Sequence, residues 1–274
     1  MNKISLDEYR VIIKGAGDLA SGVAHRLARA GFSVLMLELP HPLAVRRSVS
    51  FASAVFEGSF EIEGVQASLV DMDDIALIED CLAQGIIPVC IDQEGVFLNH
   101  FTPHVLVDAV MAKRNTGATI HDAPIVIGLG PGFTAGEDVT AVIETQRGHN
   151  LGRVIYSGSA AENTGIPGEV GGFAAERLLR APCAGNFLPC KDLGELVTAG
   201  EKIADVGDTP LYASISGLLR GLLYPGAMVQ EGTKVGDIDP RGDEVDWRTI
   251  SDKARSVGGG ALEAIMHYLA FYHT

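Results

Sequence analysis

The sequence lacks the long apolar segments that membrane-spanning and secreted proteins carry. It has no run of eighteen apolar residues, and its first residues contain no apolar signal-peptide core, so we expect a cytoplasmic protein without a membrane span. Positive charge is also scarce. There are 21 lysines and arginines against 35 aspartates and glutamates, for a formal net charge of −14. This balance disfavours nucleic acids and anionic membrane surfaces as partners.

Cysteine is rare, and its spacing excludes the common metal and redox motifs. The cysteines are Cys81, Cys90, Cys183 and Cys190. None of them forms a C-x-x-C motif, which excludes the zinc-ribbon and thioredoxin patterns. Histidines and carboxylates show no known ligand spacing either, so we predict no metal site.

Glycine, in contrast, is plentiful, and the first glycine motif lies in a strongly patterned stretch. An apolar run, Val11–Ile13, enters a glycine turn, apolar residues follow at four-residue spacing, and a second apolar run ends at Glu38. This order predicts a strand, a turn, a helix and a strand. The turn reads G-x-G-x-x-A, in which Gly15 permits the tight turn, Gly17 lets a pyrophosphate approach, and Ala20 allows close packing. We therefore predict an N-terminal Rossmann-like parallel sheet.

This turn is the first candidate binding site. The helix N-terminus would present free N–H groups to a phosphate, and Glu38 follows Gly17 by 21 residues, where a carboxylate can accept hydrogen bonds from a ribose. We predict that Gly15, Gly17, Asp18 and Glu38 bind a cofactor, with NAD(P) or another adenine nucleotide as the ligand. Asp18 also favours an alternative, a Rossmann-like unit without a nucleotide, because its carboxylate would lie near any bound phosphate. An unrelated α/β turn is a third interpretation.

A second glycine motif follows a later apolar run. The glycines of this loop are Gly128, Gly130 and Gly132. Backbone N–H groups in such a loop can bind an anion. A basic cluster then follows at Arg147, His149 and Arg153, and in an acidic chain it predicts recognition of phosphate or another oxyanion. The alternative is an internal ion-pair network with the nearby acids Glu137, Asp138 and Glu144.

An internal repeat occupies positions 181–239. Two copies of G-x-x-V-x-x-G-x-x-(I/V), at 194–203 and 226–235, stand 32 residues apart. Two copies of this size should interlock as a small β-sandwich. The pattern resembles the biotinyl/lipoyl-type barrel-sandwich hybrid, but the linking hairpin, 205–210, has no lysine. A swinging-arm carrier role is therefore disfavoured, and the module is either structural or binds something without a covalent link.

The order of these motifs along the sequence also predicts where the chain divides into domains and segments. We expect a Rossmann-like domain at 1–100, an α/β segment with the glycine-rich loop at 101–180, the β module at 181–240 and a helical segment at 241–274. Three local elements are predicted as well: a strand at 49–56, a helix at 103–113, and a glycine turn at 258–260 before a helix at 261–271. We further expect a homo-oligomer.

Four strings of the sequence, taken together, resemble the YqeB family of selenium-dependent molybdenum hydroxylase system proteins. They are Gly15–Gly22, Ile127–Gly136, Val142–Arg153 and Gly236–Arg241. The resemblance covers nearly the full chain. It implies an accessory protein that helps to mature or insert the selenium–molybdenum centre, with a nucleotide or a molybdenum pterin as its cofactor and a molybdenum hydroxylase as its partner. The alternative is an NAD(P)-dependent dehydrogenase acting on a small substrate, for which His121 and Asp122 are the best acid–base candidates.

Overall fold

The computed structural model describes residues 5–99, 101–163, 165 and 168–272. It is an α/β protein that divides into two units. Unit 1 comprises Met1–Pro42, Ser50–Asn163 and Ile250–Thr274, and unit 2 comprises Leu43–Val49 and Thr164–Thr249. The sequence predicted four successive segments, at 1–100, 101–180, 181–240 and 241–274. In the structure, the first two lie largely in unit 1, and the last is divided between both units. The chain therefore leaves each unit and returns to it.

Unit 1 is built on a mixed, mostly parallel sheet. Its strands among the described residues are β1 (Arg10–Lys14), β2 (Ser33–Glu38), β3 (Ser59–Ile62), β4 (Val65–Leu69), β5 (Ile87–Ile91), β6 (Val105–Asp108), β7 (Ile125–Leu129), β9 (Ala141–Ile143) and β10 (Val154–Ile155). Their order across the sheet is β10-β9-β7-β6-β1-β2-β5-β4-β3, and only the pairs β3/β4 and β9/β10 are antiparallel. The short strands β8 (Thr134–Ala135) and β11 (Gly158–Ser159) pair separately. The predicted α/β class is confirmed.

The centre of this sheet is apolar because its strands are covered on both faces. Ile12 and Ile13 of β1 are fully buried, as are Leu106 and Val107 of the neighbouring β6. From β1 the chain runs to β2, continues to the edge strands β3 and β4, returns to β5, and then crosses to β6 on the other side of β1. The direction of winding therefore reverses between β1 and β6.

Four α-helices belong to unit 1 in the described part of the chain. They are α1 (Asp18–Ala30), α2 (Ala54–Glu57), α3 (Ile75–Ala83) and α4 (Asp252–Tyr272). The predicted strand–turn–helix–strand order of β1, α1 and β2 is confirmed. None of these helices has the length and apolar character needed to cross a lipid bilayer.

The glycine turn predicted at 258–260 is wrong, since these residues lie inside α4. A Cβ on Gly258 would lie 2.6 Å from the carbonyl oxygen of Gly22 in α1, and a Cβ on Gly22 would lie 2.7 Å from the Cβ of Ala254. A Cβ on Gly260 would meet the carbonyl oxygen of Gly152. The glycines thus allow α4 to pack tightly against α1 and the turn before β10.

Two further local predictions are wrong. The predicted strand at 49–56 forms short helical turns, because the backbone N–H of Phe51 donates to Ser21 Oγ (2.8 Å) and that of Ala52 donates to the Ala16 carbonyl (2.9 Å). Residues 103–113, which were predicted to form a helix, contain the strand β6 instead. Its continuous apolar run Val105–Val107 fits a strand buried between two parallel neighbours better than one helix face.

Unit 2 contains two antiparallel sheets of four strands each, counted over the described residues. Its strands are β12 (Leu178–Arg180), β13 (Gly185–Pro189), β14 (Leu196–Val197), β15 (Lys202–Val206), β16 (Thr209–Tyr212), β17 (Gly217–Leu222), β18 (Met228–Val229) and β19 (Lys234–Asp239). The sheet orders are β12-β19-β17-β14 and β16-β15-β13-β18.

The 32-residue repeat is visible in these strands. β13, β14 and β15 begin 32 residues before β17, β18 and β19. Each short middle strand, β14 or β18, pairs in the sheet of the other copy. The two copies therefore interlock, as the sequence predicted. Glycine stands first in β13 and β17 because a Cβ there would meet the backbone of Gly207 or Asp239, which are themselves 32 residues apart.

Candidate functional site

The candidate site lies at the edge of the unit 1 sheet where the parallel strands end. The carboxyl ends of β2, β1, β6 and β7 meet at this edge, and the winding reverses between β1 and β6. In open α/β sheets, ligands bind outside the carboxyl ends of the strands at such a reversal. The glycine turn that follows β1 and the residues that follow β6 are therefore the first groups to consider.

The glycine turn is held in one conformation by several hydrogen bonds to Ala16. Its N–H donates to Glu38 Oε2 (2.7 Å), while its carbonyl accepts from Ser21 Oγ (3.0 Å) and from the Ala52 N–H (2.9 Å). Gly15 has φ +91°, which favours glycine. A Cβ on Gly15 would also lie 3.2 Å from the Ala109 carbonyl oxygen. The turn thus contacts the residue directly after β6.

Gly17 is the most open residue of this turn. It is the N-cap of the 13-residue helix α1, with an ordinary φ of −67°, and no side chain caps the helix there. A Cβ on Gly17 would meet no atom of the described residues within 4 Å. The N-cap of α1 therefore has open space where a Cβ would lie, and anion binding at a helix N-terminus requires such space.

Glu38 has a structural role that the sequence did not indicate. It ends β2 and is half-buried, and its carboxylate accepts hydrogen bonds from the backbone N–H groups of Ala16 and Leu39, each at 2.7 Å. Burial raises the pKa of Glu38, while these two hydrogen bonds lower it. The carboxylate retains further acceptor positions, so the predicted ribose contact stays a prediction.

A lysine that the sequence analysis missed lies near the start of α1. Lys253, in the first turn of α4, is partly buried, and its ammonium forms no hydrogen bond or ion pair with the described residues. Burial lowers the pKa of Lys253, the charge of Asp18 raises it, and that of Arg147 lowers it again. Asp18, Arg147 and Lys253 therefore share one electrostatic environment. No local sequence signal could reveal this, because it depends on how α4 packs against α1.

The second glycine motif packs against the protein itself. A Cβ on Gly128 would lie 2.5 Å from the Phe133 ring, and a Cβ on Gly130 would lie 2.5 Å from Thr145 Oγ1. Gly132 similarly faces the backbone of Arg114 at 2.6 Å. The Gly130 N–H donates to the Ile143 carbonyl (2.8 Å) and is thus engaged. Close packing accounts for these three glycines, and anion binding by this loop stays a prediction.

The predicted basic cluster lies on the exposed turn between β9 and β10. Arg147 forms a two-point ion pair with Asp252 at the start of α4, with Nη1–Oδ2 at 2.8 Å and Nη2–Oδ1 at 3.1 Å. His149 is exposed, and Arg153 contacts Asn150 Oδ1 at 3.5 Å. Of the three, Arg147 is the residue that the structure brings beside Lys253.

Two of the three acids named in the alternative interpretation have other partners. Glu144 is buried, and its carboxylate accepts from the N–H groups of Gln146 (2.7 Å) and Ala161 (2.8 Å). Asp138 accepts from the Thr134 N–H. Asp122, half of the acid–base pair considered for a dehydrogenase, accepts from both the N–H and the hydroxyl of Thr119. In the described ranges, no group of three or more potential ligand residues could hold a metal ion.

Asp108 is a second residue that the sequence analysis missed. It ends β6 and is 2% exposed. Its Oδ1 accepts from the Val110 N–H (3.2 Å), whereas its Oδ2 is buried and has no hydrogen-bond partner in the described structure. Burial raises the pKa of Asp108; the Val110 hydrogen bond and the charge of Lys14 lower it, and Asp122 raises it. The available sequence signal was an acid ending an apolar run.

Solved structures that are similar to this chain resemble it weakly. No family model matches the chain. The ectoine utilization protein EutE from Ruegeria pomeroyi, in its product-bound structure, is 11% identical with a TM-score of 0.25, covering 84% of both chains. An aspartoacylase family protein from Mesorhizobium loti is 12% identical with a TM-score of 0.26, again covering 84% of both chains. These structural likenesses are too weak to carry an argument about this chain.

The sequence match is much closer. The chain is 50% identical over 256 residues, or 93% of its length, to the uncharacterized protein YqeB of Escherichia coli (strain K12). It covers 47% of that protein, about half of its length. The chain is therefore a homologue of part of the Escherichia coli protein YqeB.

Proposed function

We propose that unit 1 binds a small molecule bearing a phosphate, such as an adenine nucleotide or a molybdenum pterin, at the carboxyl edge of its sheet. The observation that carries this proposal is the open Gly17 at the N-terminus of α1, directly beside the reversal between β1 and β6. Helix N-termini at such positions bind phosphates through backbone N–H groups and the helix dipole. The partly buried ammonium of Lys253 adds a positive charge nearby.

The resemblance of the sequence strings supports a proposal about the biological role. We propose an accessory protein for the maturation of selenium-dependent molybdenum hydroxylases, with the cofactor or a nucleotide held in unit 1. We further propose that unit 1 is Rossmann-like and that unit 2 is a barrel-sandwich hybrid. Two interlocked copies and a linking hairpin, 205–210, without lysine support a module that carries no covalent acyl group.

Binding and its dependence on Gly17 can be measured by isothermal titration calorimetry. The panel is NAD⁺, NADH, FAD, ATP and a phosphorylated pterin. Gly17→Ala should fold, because its φ suits alanine and the new Cβ meets no neighbour. A phosphate lying against Gly17 would meet that Cβ, so we expect an affinity loss of about tenfold or more, equivalent to roughly 1.4 kcal/mol.

Gly259→Ala is the matched control. It makes the same substitution in α4, where a Cβ also meets nothing within 4 Å, and it should leave affinity unchanged. The proposal fails if the wild-type protein binds no member of the panel. It also fails if Gly17→Ala binds as tightly as the wild-type protein, since the ligand would then lie elsewhere.

A further inference from the structure

Asp108 stands directly beside the glycine turn at the same sheet edge. In the sheet register it pairs with Lys14 on β1 and with Gly128 on β7. Its chain neighbour Ala109 lies against the turn, since a Cβ on Gly15 would be 3.2 Å from the Ala109 carbonyl oxygen. A ligand that binds at the start of α1 and extends across the reversal would therefore reach the end of β6.

The two oxygens of the Asp108 carboxyl group differ in their surroundings. Oδ1 accepts from the Val110 N–H, whereas the buried Oδ2 has no hydrogen-bond partner in the described part of the chain. Buried polar atoms are almost always paired, because an unpaired one destabilises the fold. No hydrogen bond within the described part of the chain therefore satisfies Oδ2.

The surroundings raise the pKa of Asp108. Burial has the largest effect on the pKa of Asp108 and raises it, and Asp122 raises it further. Lys14 on β1 and the Val110 N–H act in the opposite direction, while Gly128 on β7 contributes no side-chain charge. A neutral carboxyl group has one O–H donor. In the neutral form, because Oδ1 accepts from the Val110 N–H, the proton lies on Oδ2.

The backbone after Asp108 is strained. Met111 and Lys113 have φ values of +60° and +62°, which residues other than glycine rarely adopt. Such strain is concentrated at ligand-binding and switching segments. The segment that adopts it begins three residues after Asp108, and Val110 and Lys113 are exposed. This strained, partly exposed segment therefore lies next to the residue that carries Oδ2.

We propose that Asp108 contacts the ligand of this edge by donating a hydrogen bond from Oδ2 to an uncharged acceptor, a carbonyl oxygen or a ring nitrogen. This inference rests on the proposed function and deepens it. The phosphate is bound at the N-terminus of α1, and Asp108 recognises the heterocyclic part of the same molecule. The ligand class is therefore a phosphate-bearing heterocycle with an accessible acceptor.

The test compares Asp108→Asn and Asp108→Ala in calorimetry with the same panel of NAD⁺, NADH, FAD, ATP and a phosphorylated pterin. In Asp108→Asn, the amide oxygen can accept from Val110 and the amide NH₂ can donate to the ligand, so affinity should be retained. Asp108→Ala removes the donor and should lower affinity about tenfold. Wild-type affinity should fall as the pH rises through the pKa of Asp108, whereas that of Asp108→Asn should not.

Each outcome has a defined meaning. If Gly17→Ala weakens binding but neither Asp108 variant does, the inference about Asp108 is overturned and the proposed function stands. If the wild-type protein binds no panel member, both are overturned. If Asp108→Asn loses as much affinity as Asp108→Ala, Asp108 does not act as a donor. If Asp108→Ala does not fold, the pH profiles of the wild-type and Asp108→Asn proteins decide, and identical profiles overturn the inference.

Discussion

Ala16 holds the glycine turn of unit 1 through both of its backbone groups. Glu38, Ser21 and Ala52 contact these groups from β2, from α1 and from the segment after β2. The turn is therefore fixed before any ligand arrives, and little conformational freedom remains to be lost on binding. Glu38 was identified from its spacing, but its contact with Ala16 depends on the packing of β2 beside β1.

Arg147 provides the first prediction at the residue scale. Its side chain is 46% exposed and that of its partner Asp252 is 71% exposed, and such surface pairs contribute about 0–1 kcal/mol to stability. Arg147→Ala should therefore change the melting temperature little. If Arg147 binds a phosphate beside Lys253, the same variant should lower affinity about tenfold or more, since a charge-assisted hydrogen bond contributes roughly 1.5–3 kcal/mol. Calorimetry and thermal melts measure the two effects.

Arg153→Ala and His149→Ala separate the members of the basic cluster. Arg153→Ala should lower ligand affinity as Arg147→Ala does only if Arg153 contacts the same anion. His149→Ala should lower affinity only if His149 contacts that anion. A large loss of stability in Arg147→Ala with unchanged affinity would mean that the Arg147–Asp252 pair is structural.

At the scale of elements, α4 carries three consecutive glycines inside a 21-residue helix. Glycine normally destabilises a helix interior by about 1 kcal/mol relative to alanine. Here Gly258 lies against the Gly22 carbonyl and Gly260 against the Gly152 carbonyl, while Gly259 has no close neighbour. Helix packing therefore explains two of the three glycines, and Gly259 has no packing role.

These glycines should respond differently to the same substitution. Gly259→Ala should stabilise the protein by about 0.5–1 kcal/mol, because it raises helix propensity without a clash. Gly258→Ala should destabilise it by about 1–3 kcal/mol, because the helices must move apart. Chemical denaturation of both variants measures the difference. If both substitutions stabilise the protein, α1 and α4 do not approach each other as closely as the structure indicates.

The wrongly predicted elements share one cause. Val105–Val107 is a continuous apolar run, which periodicity alone cannot assign to a strand or a helix. At 49–56 the sequence predicted a strand, yet the backbone donors of Phe51 and Ala52 bind α1 and the glycine turn instead of a neighbouring strand. In each case a contact with a distant segment decided the local conformation.

At the scale of the whole molecule, the two units contain buried acids with opposite pKa shifts. In unit 2, Asp239 is fully buried beside Arg220 and Arg241. Burial raises its pKa, but the hydrogen bonds from Arg241 and the charge of Arg220 outweigh burial and lower it. In unit 1, burial raises the pKa of Asp108 and Glu38.

The signs of these shifts predict which unit loses stability in acid. An acid whose pKa is lower in the folded protein stabilises the fold at pH values above its pKa in the unfolded chain, about 3.9 for aspartate. This stability is lost as the pH falls through the folded pKa. A raised folded pKa contributes stability that is lost as the pH rises. Acid should therefore destabilise unit 2 more, although Glu63 of unit 1 has a lowered pKa through Arg255, which outweighs its burial.

Two optical signals can follow the units separately. The single tryptophan, Trp247, lies in unit 2, and the described α-helices all lie in unit 1. Between pH 7 and about pH 3, close to the aspartate reference pKa, the melting temperature from tryptophan fluorescence should fall further than that from the helical circular dichroism signal. Asp239→Asn should reduce the difference. Two signals that fall together in the wild-type protein would contradict the prediction.

Features that depend on neighbours along the chain could be predicted from the amino-acid sequence. The β1–α1–β2 unit follows from apolar spacing around Gly15 and Gly17, and the interlocked strands of unit 2 follow from the 32-residue register. Other features depend on contacts between distant segments: the burial of Asp108 with an unpaired oxygen, the position of Lys253 in the environment of Asp18, and the place of three glycines inside a helix. Local propensities are a few tenths to about 1 kcal/mol per residue, so packing between distant segments overrides them.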